Sequence, residues 1–301
     1  AGAPAPAARP LPVAHARRVA RWEAFLNGNS LKARLSSRYI FEHWFIANLY
    51  FDDLPAGEYG QEYFQLVRSK TPPGQPIEII ARPRPFDDPG VGRVYYRLRR
   101  SLETPVAKTH MPYTLNAARM ARLKAWFIDA PYEVTELPSY EEATASNPFI
   151  TFRQLPVNSR YRFMLDEAQF TMMGFIKGPV CRGQIALDVI NDYFWVLFAE
   201  PDTGHAGLDA EFLAREGRNL TLPAEYGSAT GPLRWLRYSN LEAGYLEAKS
   251  RYLAQRFGEG SRPTLKVLWD GERRNPNAAL TVFRHFDSAS VVQGLIGERP
   301  Q

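Results

Sequence analysis

The sequence predicts an α+β protein, predominantly helical with a small antiparallel sheet. Three observations lead there. Apolar residues recur at helical spacing through several segments, the longest running from Pro232 to Phe257. Between residues 61 and 110 the pattern changes to short β-prone runs separated by Pro- and Gly-rich turns. The overall balance, 45% hydrophobic and 23% charged in 301 residues, is that of a soluble globular chain with enough aromatics to fill a core. It excludes a disordered tail, a coiled coil and a collagen-like chain.

In order along the chain, residues 1–12 (AGAPAPAARPLP) read as an extended linker, which implies a preceding segment. Val19, Trp22 and Leu26 share one helical face between Val13 and Asn27, and Gly28 supplies a stop. A second helix is predicted from Ser30 to Phe51. It becomes apolar on nearly all sides, as a buried helix does, before Asp52-Asp53-Leu54-Pro55 ends it. Strands are predicted at Tyr63–Val67, Ile77–Ile80 and Val94–Leu98, with turns at Thr71-Pro-Pro-Gly74 and Phe86-Asp-Asp-Pro-Gly90.

Helices resume over Asn116–Ile128, then from Ser159, read as an N-cap, through Ile176, and again over Gly183–Phe198. Residues 201–232 form a long surface excursion, followed by the 232–257 helix and strands at Leu265–Trp269 and Leu280–His285. The expected organisation is therefore a linker followed by one large domain over residues 13–301, truncated at its C-terminal end. No internal repeat is found.

The chemistry is sparse. The longest fully apolar run, Tyr193–Ala199, falls far short of the roughly 20 residues of a membrane span. No segment reads as a signal peptide. A single cysteine, Cys181, excludes an intrachain disulfide, a cysteine zinc site and haem attachment through Cys-x-x-Cys-His within this chain. The histidines, His15, His43, His110, His205 and His285, show no metal-binding spacing, so no metal site is predicted. Serine-hydrolase elbows and phosphate-binding loops are absent too.

Three clusters stand out, each with two readings. Cys181 sits in Lys177-Gly-Pro-Val-Cys-Arg-Gly-Gln184, where Arg182 and a following helix could lower the thiol pKa; otherwise it is a small buried hydrophobe. Of the 37 basic residues, 30 are arginine, and strand alternation puts Arg93, Tyr95, Arg97 and Arg99 on one face. That face suits phosphates or anionic lipid head groups, or is simply a solvated sheet surface; no nucleic-acid motif accompanies it. Last, Arg284, His285 and Asp287 form the densest polar run.

Long irregular segments resemble the bacterial fatty acid cis/trans isomerase family: Tyr39–Phe51, Val67–Ile77, Asp87–Gly90, Val94–Leu98, Phe175–Gln184 and Phe283–Ser290, in order across about residues 13–301. The resemblance implies a periplasmic isomerase that converts cis double bonds of membrane unsaturated fatty acyl chains to trans under membrane stress. It also implies a haem c cofactor in an upstream cytochrome-like segment, with the membrane surface and fatty acids or phospholipid acyl chains as partners. This chain lacks the haem motif and would supply an apolar slot lined by aromatics of 39–51 and 193–198. The alternative is a non-catalytic scaffold that docks on anionic lipid. Candidate site residues are Glu42, His43, His110, Cys181, Arg182, His285 and Asp287, with His43 or His110 as a distal group toward haem or as structural histidines.

Overall fold

A computed structural model of the chain describes residues 10–56, 60–101, 112–177, 193–201, 211–213, 215–219, 232–257, 267–285 and 288–293. The fold is α+β, and the chain divides into two compact units, each considered by itself. The first comprises residues 1–137, 170–191 and 284–290; the second comprises residues 138–169, 192–283 and 291–301.

The first unit is built on a four-stranded sheet of order β3-β2-β1-β4, with β1 Asn48–Phe51, β2 Phe64–Ser69, β3 Tyr95–Arg100 and β4 Pro112–Leu115. β1 runs antiparallel to β2 and β2 to β3, but β4 lies parallel to β1, so the sheet is mixed rather than antiparallel. Two helices precede it, α1 Val13–Leu26 and α2 Leu31–Trp44, the latter capped by Ser30 Oγ accepting from the Ala33 amide.

The expected helix through Phe51 stops at Trp44. Residues 48–51 form an inner strand instead, which accounts for their lack of a polar face: a strand covered on both sides also reads as a continuous apolar run. Residues Ile77–Ile80 contribute only an isolated bridge, Ser69 to Ile79. After β4, α3 Ala117–Lys124 is capped by Asn116 and continues into a π turn, Ala125–Asp129.

The edge of β3 would leave outward amides unpaired. α1 lies against it and satisfies them with side chains. Glu23 Oε1 accepts from the Leu98 amide at 2.9 Å. Asn27 acts as a surrogate strand residue, accepting from the Tyr96 amide at 2.9 Å and donating to the Tyr96 carbonyl at 2.8 Å. Beneath this seam the aromatic core is continuous: Trp22 meets Trp44, Trp44 meets Tyr113, Phe41 meets Tyr96, and Phe51 meets Phe64 at 5.4 Å.

In the second unit, α4 Glu142–Ala145 and α5 Pro148–Thr151 are short, the latter capped by Asn147 with proline in its first turn. The single helix expected from Ser159 is two: α6 Val157–Asp166 and α7 Ala168–Lys177, broken at Glu167, with α7 from Phe170 onward counted in the first unit. Ser159 is not a cap but a buried residue inside α6, whose first turn instead follows Pro156. The last carbonyls of α6, Leu165 and Asp166, accept from Asn275 Nδ2 at 3.0 and 3.2 Å.

A three-stranded sheet of order β5-β6-β7 follows, from Tyr193–Leu197, Ala279–His285 and Ser288–Gln293. The expected helix over 183–198 is overturned for Tyr193–Leu197: this is β5, paired antiparallel with β6. Its run of aromatic and β-branched residues is strand chemistry. The rest of that expected helix lies outside the described residues, as does most of the 201–232 excursion. α8 Pro232–Phe257 agrees with the expected bounds.

Replacing Glu23 by alanine strips Leu98 of its acceptor and Arg97 of its carboxylate inside the protein. The expected loss is about 3–5 kcal/mol in urea denaturation. Arg18→Ala, which removes an exposed pair with Asp53, is expected to cost less than about 1 kcal/mol.

Candidate functional site

Two of the residues singled out from the sequence, Glu42 and His43, lie on α2 with their side chains described. Glu42 accepts from Arg38 Nε at 2.8 Å, one helical turn away, and both side chains are buried, 8% and 5% exposed. Burial pushes the Glu42 carboxyl above its ordinary value, while Arg38 and then Arg68 pull it back. Arg68 on β2 is itself buried, donating to the Asp87 carbonyl at 2.7 Å with its guanidinium 5.4 Å from the Phe41 ring.

His43 is held by its own helix. Its Nδ1 lies 2.7 Å from the Tyr39 carbonyl and its ring 4.2 Å from the Tyr39 ring. Both residues are therefore engaged by side chains and backbone of their own helix.

His285 is a strand residue of β6. His110, Cys181, Arg182 and Asp287 lie outside the described residues. No group of three or more His, Cys, Asp or Glu that could hold a metal occurs among the described residues.

The expected basic face of β3 is a correction. Arg97 points inward: its Nε meets Glu23 Oε2 at 2.8 Å, and its terminal nitrogens donate to the Pro72 carbonyl at 2.7 Å and the Gln75 carbonyl at 3.1 Å. The Thr71–Gln75 loop, with Gly74 at φ 89°, thus closes around a guanidinium. Arg93 donates to the Gly28 carbonyl at 3.1 Å, Arg99 to Gln65, and Arg100 to both oxygens of Glu62 at 2.6 and 2.7 Å. These arginines are occupied within the fold.

The expected acyl slot also changes. The aromatics of 39–51 include Tyr39, Phe41, Trp44 and Phe51, all buried and packed on one another's neighbours, so they form core rather than slot. The 195–199 stretch behaves differently. Trp195 is 44% exposed and Leu197 49%, two residues apart and so on one face of β5. Ala199 continues that face and bridges to Leu268, 36% exposed.

Directly opposite Trp195 in the sheet register stands Thr281, buried, its hydroxyl without a hydrogen-bond partner among the described residues. An apolar sheet face of this kind can accept a hydrocarbon without any proton transfer.

Sequence reasoning missed His15. It is 2% exposed, neither ring nitrogen has a hydrogen-bond partner among the described residues, and its ring lies 6.0 Å from Phe51. Burial holds its pKa below the usual value, opposed by Glu62 and assisted by Arg100. The signal was present: His15 extends the Val19, Trp22, Leu26 spacing one turn toward the N-terminus.

The model of a protein family described as fatty acid cis/trans isomerase matches residues 1–301. No curated protein and no solved structure matches the chain.

Two outcomes follow from the buried polar groups. Glu42→Leu should destabilise by about 3–5 kcal/mol by stranding Arg38, and Arg38→Met combined with Glu42→Leu should recover most of that loss in the same denaturation experiment. A buried neutral histidine must be able to protonate on unfolding. Its contribution is therefore fully present above the unfolded value of about 6.5 and lost as pH falls below it. The urea midpoint should drop between pH 7.5 and 5.5 in the wild type and drop less in His15→Phe.

Proposed function

The chain belongs to the fatty acid cis/trans isomerase family, and from that premise we propose that it is the acyl-handling part of an isomerase acting on cis double bonds of membrane unsaturated fatty acyl chains. The family match over residues 1–301 is the observation that carries this reading. The exposed apolar face of β5 supports it and offers a surface for the substrate.

The barrier explains why the protein's part is positioning. Even the partial double bond of a peptide resists rotation by about 18–20 kcal/mol. A full alkene resists more, so rotation requires loss of π-bond order. In our reading a c-type haem supplies that electron chemistry in a periplasmic setting. The residues present do not fit its attachment, because a single cysteine cannot form the two thioether links of Cys-x-x-Cys-His.

What remains to this chain is to hold the tail, orient the double bond and keep water away. Trp195, Leu197 and Leu268 present hydrocarbon surface with no charged group between Trp195 and Ala199. Burying an acyl chain there is worth about 0.8 kcal/mol per methylene removed from water. Rotation about the double bond releases and takes up no proton, so a titratable group at the contact is unnecessary.

The test assays the full-length gene product for trans acyl chains by gas chromatography. Trp195→Lys with Leu197→Lys is expected to lower conversion about tenfold or more while the far-UV circular dichroism is unchanged. Conversion at the wild-type rate would remove the β5 face from the account. Absence of any conversion by the wild type would remove the acyl substrate.

A further inference from the structure

The two halves of α1 are held in different ways. Glu23 in its last turn and Asn27 just past it bond to the Leu98 and Tyr96 backbone of β3. Of residues 13–19, only His15 is buried; Val13 is 67% exposed, and Arg18 reaches out to Asp53 at 2.6 Å. The seating of the first half on Phe51, whose ring lies 6.0 Å from the imidazole, therefore rests on His15.

An imidazole in that position is tolerated only while neutral. Neither ring nitrogen has a hydrogen-bond partner among the described residues, so a proton gained there would be a buried charge without an acceptor. His15 is also the third residue of α1, in a first turn that holds no acidic residue, and the free amides of a helix N-terminus disfavour a cation. Two charged groups act on it from the sheet side, Glu62 and Arg100. Glu62 favours the proton, but both of its oxygens already accept from Arg100, at 2.6 and 2.7 Å. Beyond β1, Asp52 is taken by Asn116 and Asp53 by Arg18, while Arg17 and Arg21 on α1 itself are exposed. Burial, the largest influence, and Arg100 hold the imidazole below its ordinary value against the pull of Glu62.

We propose that the first half of α1 is an acid-released latch: neutral His15 keeps it seated on Phe51, and protonation frees residues 13–19 while Glu23 and Asn27 keep the second half on β3. Release uncovers the Phe51 ring, which packs on Phe64, so acid exposes aromatic surface at this end of the first unit. The device does not depend on the acyl reading. Its direction follows from linkage. The seated form is favoured above the free value of about 6.5 and loses ground as pH falls below it. A proton that binds only the released form raises the released-to-seated ratio about tenfold between pH 7.5 and 5.5.

The experiment is hydrogen–deuterium exchange of the full-length protein at pH 7.5 and 5.5, with each amide corrected for its intrinsic rate. Residues 16–20 are expected to exchange through a local opening, less protected than β2 and β3 at both values, and to lose about tenfold in protection at the lower one. His15→Phe and His15→Leu, which fill the site without titrating, should abolish that loss. Arg18→Ala is an exposed change that leaves the imidazole in place and removes the Asp53 pair as a source of pH dependence. It should lower the protection of the same amides equally at both pH values and keep the tenfold loss.

Protection of residues 16–20 that does not change with pH overturns the latch, as does a tenfold loss that disappears in Arg18→Ala. The same loss in a folded His15 variant overturns it too. So does exchange of residues 16–20 at the protection of the sheet, because α1 would then leave only when the whole unit unfolds.

Discussion

Four arginines, Arg38, Arg68, Arg97 and Arg119, are buried in the first unit, and each has to be answered there. A guanidinium withdrawn from water costs several kcal/mol unless its charge and its donors are met. Arg97 is met by Glu23 and by the carbonyls of a proline-rich loop. Arg38 is met by Glu42, Arg68 by the Asp87 carbonyl, and Arg119 by the Thr114 carbonyl and the face of Tyr113, 4.1 Å away. These contacts fix where α1, α2 and the 71–75 and 84–90 loops can sit around the sheet.

That arrangement decides which polar residues are available for anything else. Glu42 and His43 are spent on holding α2, and the arginines around β3 are spent on α1 and the neighbouring loops. In the second unit an exposed apolar surface is described instead. It is the Trp195–Leu197 face of β5. A hydrocarbon tail is better met by a surface of that kind than by a charged cleft.

Much of this was legible in the sequence, and the failures have local causes. α8 was readable at both ends because Pro232 opens it and its apolar spacing persists to Phe257. β1 was not, because Asn48–Phe51 is covered on both sides, and an apolar run without a period fits a buried helix as well as an inner strand. Tyr193–Leu197 was misassigned because its apolar run also lacks a polar alternation, although one face of the strand is exposed. The alternation of Arg93–Arg99 identified a strand correctly, but not which face was dry. That depended on Glu23, 74 residues away, whose carboxylate no local pattern could place opposite Arg97. His15 was legible as one more member of a buried helical face, yet its unpaired nitrogens are a property of tertiary packing alone.

The central claim is that lipid meets the apolar Trp195–Leu197 face of β5, whereas the arginine-laced first unit is a closed support. Hydrogen–deuterium exchange of the intact protein, with and without anionic vesicles of cis-unsaturated phospholipid, tests it directly. The account predicts new protection over residues 193–199, with Tyr95–Arg100 and α2 unchanged. Protection confined to Tyr95–Arg100 or α2, with residues 193–199 unaltered, would contradict it.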